Sequence, residues 1–511
     1  MNLKGLSFIG PRRGQPTDKP FHAANPASGK GLEPPYHGAT VEEAEEACAL
    51  AGEAFRTFRR TTPAERAAFL RRIADEIEGI GDALPQRYVE ESGLPAGRAN
   101  GERGRTCGQL RMFAAALESD GWNRPLIEPA QPDREPLPKP DTRLRYIALG
   151  PVAVFGPANF PLAFTVAGGD TASALAAGCP VVVKAHSSHP GVSEMVGAAI
   201  RKAIDACGMH EGVFSLLFGS GSKIGPVLVN HPAVKAVGFT GSQSVGRSLF
   251  DLAAARPDPI PVFAEMSSIN PVILFPGRLA EEADAIVDGL YGSVTLGVGQ
   301  FCTNPGLVLL PEGAAADAFA EKLAAKLGAH DAAPMLNRGT CEGYDAGLER
   351  LAKTSGVETL LRPEPEYGPG DCHAAPALFR VGAADFLKAD PLHEEVFGPV
   401  TLLVRCSDAD AMREVITAVS GQLTVSFHAN ASDVSANADL IADLETFAGR
   451  LVCNGFPTGV DVSASMVHGG PYPATTDSRF TSVGTRAIDR FLRPVCYQSF
   501  PPEALPPELR D

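Results

Sequence analysis

Four side chains in this sequence are of types that act on carbonyls or hold dinucleotides. They are the Cys302 thiol in GQFCTNPG, the Glu265 carboxylate in PVFAEMSSINP, the Asn159 carboxamide in GPANFP and the Lys184 ammonium in VVVKAHSSHPG. A thiol is the most nucleophilic of the neutral side chains but is only a few per cent thiolate at neutral pH, so a base near it is expected. Gly299 and Gly306 flank it and permit a bend that presents it to a substrate. Read locally, Cys302 is either such a nucleophile or a small buried hydrophobe. Glu265, between Ala264 and Met266, is either a desolvated acid or a strand-end residue facing water. The Asn159 amide either donates to a developing oxyanion or caps the helix that follows. Together a thiol, a base, an amide donor and a dinucleotide site point to oxidation of an aldehyde through a covalent thioester.

These residues need a scaffold, and the apolar pattern supplies one. Helical spacing marks Val41 onward, after a capping box at Thr40 and Glu43. A second helix starts at Thr62-Pro63, and a third runs through ERGRTCGQLRMFAAAL. The first forty residues read as loop, and six prolines between Pro125 and Pro140 break regular structure. From Arg143 short β-branched runs (VAVF, VVVK, VFSLLF, VKAVGF) alternate with helix-length segments, the signature of a parallel sheet covered on both faces. Lys184 ends one such strand, where α/β folds bind ligands. The turns FGSGS and FTGSQSVG, with Gly241 and Ser242, open helices whose free N–H groups suit phosphate. A second α/β block extends from Asn270 to about Cys453, and the tail RFLRPVCYQSFP looks extended.

Composition excludes several classes. A chain of 511 residues exceeds one ordinary core, so two or three domains are expected. A net charge of −15, with no compensating basic cluster, argues against a nucleic-acid partner. The uncharged run from Tyr146 to Gly169 is interrupted by Pro151, Pro157 and Pro161, so it reads as a buried strand and loop, not a membrane span. The ten cysteines form no CxxC pair and no metal-ligand ladder with histidine. No metal is expected, and a reducing, cytoplasmic compartment is.

The segments GPANFP, VVVKAHSSHPG, GFTGS, FAEMSSINP, GQFCTNPG and EEVFGPV, in that order over nearly the whole chain, resemble the aldehyde dehydrogenase superfamily. The phrases GQFCTNPGLVL and MVHGGPYPATTDSRFTSVGTRAIDRFLRPVCYQ resemble its α-ketoglutaric semialdehyde (2,5-dioxopentanoate) dehydrogenases, to which bacterial NADP-dependent fatty aldehyde dehydrogenases are close. The resemblance implies an α/β fold with a Rossmann-like cofactor domain (1–122 and 143–266), a catalytic domain (267–455) and a small β oligomerisation arm with the tail (123–142 and 456–511). It implies that Cys302 attacks the aldehyde, Asn159 and the Cys302 N–H hold the oxyanion, and Glu265 activates the hydrolytic water. It places Lys184 and Glu395 at the cofactor riboses, Phe397 near the nicotinamide, and Gly241 and Ser242 at the pyrophosphate.

Departures from the pattern carry information too. Where NAD-preferring members have a glutamate, this chain has Ser187, which removes repulsion of a 2′-phosphate. Lys184, with His186 or Lys223, is then free to attract it, so NADP is the expected cofactor, with NAD as the alternative. Phe160 stands where many members have Trp, and Ser267-Ser268-Ile269 replaces the usual Gly-Gly-Lys. Arg105 and Gln109, on the helix with Arg103 and Arg111, are candidates for a substrate carboxylate; surface ion pairing is the other reading of those arginines. The expected activity is oxidation of α-ketoglutaric semialdehyde to 2-oxoglutarate by a homodimer or homotetramer, with no nucleic-acid or membrane partner. The alternatives are a broad-specificity or fatty aldehyde dehydrogenase and, from another class, a non-catalytic binding protein on this fold.

Overall fold

The computed structural model describes residues 2–119, 121–363 and 372–510. Two capping boxes, Thr40 with Glu43 and Thr62 with Glu65, start the helices Val41–Phe58 and Pro63–Glu78 as expected. Each satisfies backbone donors that a helix start otherwise leaves open. Helices Ala83–Ser92 and Ala96–Glu118 follow; the last contains the expected third segment, and Ala83–Ser92 lies between Pro63–Glu78 and it.

The strands Val152–Phe155, Val181–Lys184, Phe214–Leu217, Ala236–Thr240 and Val262–Glu265 form a parallel sheet. Their side chains are almost wholly buried, which explains why they read as continuous apolar runs: helices cover both faces. In space the strands run fifth, fourth, first, second, third, so the order reverses between Val152–Phe155 and Ala236–Thr240. Open α/β sheets bind ligands outside the carboxyl ends at such a reversal. Gly156, Lys184, Gly241 and Glu265 all lie at those ends.

The first forty residues depart from the loop expected of them. Phe8–Ile9 adds antiparallel to Phe214–Leu217, Arg12–Arg13 extends that edge, and Phe21–Ala24 pairs with Gly31–Tyr36. Short strands separated by Gly and Pro give too little alternation to be read from sequence. A second, mostly parallel sheet runs through Ala377–Gly382, Val400–Cys406, Leu307–Pro311, Val272–Leu274, Gln422–His428 and Ala448–Cys453, with Glu358–Leu361 antiparallel at one edge.

A third, antiparallel sheet joins Leu126–Glu128, Thr142–Ala148 and Leu492–Gln498. Thr142–Ala148 thus pairs away from the parallel sheet whose sequence block it opens. Leu126–Glu128 is regular structure inside the proline-rich stretch. The closing segment is tied back to the parallel sheet: Met266 N–H donates to Ala474 O at 2.8 Å, and Thr476 N–H to Ala264 O at 3.2 Å. Buried Arg490 pairs with buried Asp170 at 2.7 Å and reaches Ser173 at 3.2 Å. No helix among the described residues is long and apolar enough to cross a membrane.

A candidate active site built on Cys302

The helix Pro276–Thr295 delivers the chain to Cys302 through three residues with left-handed backbone, Gly297, Val298 and Gly299. A β-branched residue with φ of 59°, as at Val298, is costly and is seen where the surroundings force it. Gly299 is obligatory on a second ground: a Cβ there would sit 2.3 Å from the Gly398 backbone. A turn closed by Asn304 N–H to Phe301 O at 3.0 Å then presents Cys302, and Leu307–Pro311 leads away.

Asn270, wholly buried at φ 52°, holds this bend. Its Nδ2 donates to Cys302 O at 2.8 Å and to Asn304 O at 3.0 Å. Gln422 Oε1 accepts the Ile269 and Asn270 N–H groups at 2.8 and 3.1 Å and the Ser268 hydroxyl at 3.0 Å. The serines in place of the usual glycines are therefore occupied: Ser268 bonds Asn270 and Gln422, and Ser267 accepts the Gln243 N–H at 3.3 Å.

Around the thiol stand residues from both sheets and from the closing segment. His468 Nε2 lies 3.5 Å from Cys302 Sγ and 3.7 Å from Glu265 Oε1. Asn159 Nδ2 donates to Gln300 O at 3.0 Å, which fixes its carboxamide in the buried GPANFP loop. His189 Nε2, 3.1 Å from Pro157 O, braces the same loop. Burial holds the Cys302 thiol well above its ordinary range; Glu265 and Glu395 push it further, and Arg105 and Arg450 pull against them.

One side of Cys302 opens into a cleft of about 1290 Å³, lined among others by Lys184, Ser187, Gly241, Glu395 and Phe397. A dinucleotide fits these features. Burial lowers the Lys184 ammonium to about 8, and Glu395 is raised to about 8 by burial. The helix Gln243–Ala254 starts at Ser242, whose side chain makes no capping bond to it, leaving first-turn donors for a ligand. Gly246 lets this helix close on the sheet, because a Cβ there would lie 2.7 Å from Met266 Sδ. Of the helpers expected for Lys184, His186 lines the cleft but burial keeps it neutral, its value far below the usual imidazole range. Lys223 is exposed on its helix, with Glu42 as a charge neighbour.

On the other side an aromatic wall is formed by Phe160, Phe164 and Phe301, each pair of neighbouring rings 5.2 Å apart and edge-on. Arg105 lies 5.4 Å over the Phe164 ring and donates to Val460 O at 2.5 Å, while its Nε and Nη2 are buried with no hydrogen-bond partner. Gln109 does not join it. Its amide is buried against Gly169, where a Cβ would meet Gln109 Nε2 at 3.0 Å, because it sits one helical turn further and faces the neighbouring helix. Arg450, which sequence reading passed over, bonds Thr424, Pro457 and Gly459. His468 was also missed, since only folding brings MVHGG to a thiol 166 residues away.

A doubly wound sheet whose cleft ends at a thiol, an imidazole and a carboxylate defines the class: an α/β protein with a candidate active site at the carboxyl ends of its strands. The model of the aldehyde dehydrogenase family matches residues 13–471, and the chain belongs to that family. It is 51% identical over its whole length, and 97% of the relative's, to α-ketoglutaric semialdehyde dehydrogenase 2 of Azospirillum brasilense. It is 45% identical to the α-ketoglutaric semialdehyde dehydrogenase of Acinetobacter baylyi, over 93% of this chain and 90% of that one. Among solved structures, the betaine aldehyde dehydrogenase of Staphylococcus aureus in complex with NAD+ superposes with a TM-score of 0.81 at 20% identity, covering 97% of this chain and 95% of that one. GapN of Methanocaldococcus jannaschii complexed with NADP gives 0.80 at 21%, covering 94% and 99%. The fold is shared, and the protein is an aldehyde-oxidising enzyme.

Proposed function

We propose that the protein oxidises α-ketoglutaric semialdehyde to 2-oxoglutarate with NADP, through a thioester on Cys302. The observation that carries the chemistry is the contact of Cys302 Sγ with His468 Nε2, beside Glu265 and at the end of the cleft. Identity of 51% and 45% with enzymes named for this aldehyde supports the substrate.

The thiol is protonated at rest, so attack requires an acceptor, and His468 Nε2 is within reach of the proton. As the S–C bond forms, the carbonyl oxygen gains charge, and the Asn159 Nδ2 donor stabilises it. Losing one such donor typically costs about 3–4 kcal/mol in the barrier. Lys184, Glu395 and the Ser242 helix end would hold NADP, which supplies the hydride acceptor when bound. The acyl group then left on Sγ is a thioester. Glu265 takes a proton from water, the water oxygen adds to the acyl carbon, and Cys302 leaves as the thiolate. An aldehyde, NADP+ and water become a carboxylate, NADPH and two protons.

Ser187 supports NADP, because the residue three after the strand-end Lys184 carries no charge to repel a 2′-phosphate, and both residues line the same cleft. Arg105, with two buried donors unpaired beyond the aromatic wall, is the cation suited to the substrate carboxylate. The three sheets support the reading of a cofactor unit, a catalytic unit and an arm for self-association. Initial rates with α-ketoglutaric semialdehyde and with uncharged aldehydes of two to twelve carbons, each with NAD and NADP, test the proposal. The semialdehyde with NADP is expected to give the highest kcat/KM. A maximum at a long-chain aldehyde would overturn the substrate and leave the family chemistry intact.

A further inference from the structure

We propose that Cys302, His468 and Glu265 also form a site for a thiophilic divalent cation, zinc foremost, whose occupation switches the enzyme off reversibly. Sγ and Nε2 lie 3.5 Å apart, Nε2 and Oε1 3.7 Å, and all three ligand atoms fall within 4.8 Å of one another. A tetrahedral zinc, with a Zn–S bond of about 2.3 Å and Zn–N and Zn–O bonds of about 2.0–2.2 Å, has edges between ligand atoms of roughly 3.3–3.6 Å. The Sγ–Nε2 edge is already drawn, the Nε2–Oε1 pair stands just outside that range, and turning the carboxylate closes it together with the third edge.

That carboxylate has nothing to give up by turning. Glu265 is 3% exposed, and neither of its oxygens has a hydrogen-bond partner. A cation between this carboxylate, an imidazole and a thiolate offsets the cost of burying its charge. The donor set selects the ion. Sulfur and imidazole favour zinc and its neighbours over magnesium and calcium, which take oxygen ligands. The fourth position faces the cleft and takes water.

Binding is a proton exchange: the cation enters, the S–H bond of Cys302 breaks, and the proton leaves to solvent. No electron is transferred, so a chelator restores the thiol. The same three atoms cannot hold a metal and act on an aldehyde, so metal and aldehyde compete. The site rests on ligand geometry alone and is independent of which aldehyde or dinucleotide is used.

Cobalt(II), a spectroscopic stand-in for zinc, is titrated anaerobically into the full chain carrying Cys453→Ser and Cys496→Ser, which remove the two exposed cysteines. One equivalent is expected to raise a near-ultraviolet thiolate-to-cobalt band and intense visible bands of a four-coordinate ion. Zinc should abolish both at one equivalent, and magnesium in excess should leave them. Cys302→Ser, His468→Gln and Glu265→Gln should each weaken binding by about tenfold or more, with circular dichroism and thermal midpoint confirming their fold. Should a variant fail that control, X-ray absorption of the zinc-loaded parent chain decides: one sulfur with nitrogen and oxygen neighbours is expected. A charge-transfer band that survives Cys302→Ser, a zinc shell without sulfur, no binding at micromolar metal, or displacement by magnesium would each overturn the proposal.

Discussion

His468 Nε2 stands 3.5 Å from Cys302 Sγ, and it reaches that place from a segment that a sequence reading assigns to the tail. With the thiol held protonated by burial, His468→Gln is expected to slow both kcat and the alkylation of Cys302 by iodoacetamide, by about 10²–10⁴-fold for a lost general base. Stopped-flow alkylation of the free enzyme isolates the thiol from cofactor binding. Alkylation as fast as in the parent would show that the imidazole only packs there.

On the proposed reading, cofactor choice turns on Ser187 and Lys184. A carboxylate facing a phosphate costs several kcal/mol, so Ser187→Glu should lower kcat/KM for NADP by about two orders of magnitude and leave that for NAD nearly unchanged.

Acidity gives an independent check on the same pair. Lys184, lowered to about 8, is charged below that pH and neutral above it. The ratio of kcat/KM for NADP to that for NAD should therefore fall between pH 7 and pH 9, with effects common to both cofactors cancelling. A flat ratio would assign phosphate recognition elsewhere.

Arg105 has two unpaired buried donors, and a charge-assisted hydrogen bond contributes about 1.5–3 kcal/mol. Arg105→Ala should raise KM for α-ketoglutaric semialdehyde about 10- to 100-fold and leave KM for an uncharged aldehyde of equal length unchanged. Equal increases for both would mean that the side chain only shapes the wall.

Asn270 tests the support of the bend. Removing its amide orphans the carbonyl of Cys302, while that of Asn304 keeps the Gly306 N–H at 2.9 Å, so Asn270→Ala should lose about 1–3 kcal/mol in urea unfolding together with most of kcat. Asn270→Gly keeps the left-handed backbone and should recover only the conformational part of the loss.

What could be read before folding follows from the range of the interactions. Capping at Thr40, the helix start at Thr62-Pro63, the parallel strands and the strand-end position of Lys184 depend on near neighbours, and they stand as expected. The cleft brings Lys184, Ser187, Gly241, Glu395 and Phe397 together because each sits at a strand end or loop that the topology turns the same way. Gly299 and Gly306 looked equivalent, yet only Gly299 has a left-handed backbone; Gly306 instead gives room to Ile269, 3.2 Å from where its Cβ would be. Arg105 and Gln109, four residues apart, share one helix face, and which neighbours each meets, Val460 for one and Gly169 for the other, is invisible without the packing partner. His468 and Arg450 lay beyond local pattern altogether.

The long separation of thiol and imidazole also orders events in the life of the chain. Residue 302 emerges from the ribosome before residue 468, and at about 5–20 residues per second the interval is on the order of 10–30 s. During that interval the nucleophile has no proton acceptor from the closing segment. Assembly of the proposed site then waits for Met266 and Thr476 to dock the last strand-like stretch and for Arg490 to lock onto Asp170. The proposed site is therefore complete only once nearly all of the chain has been made.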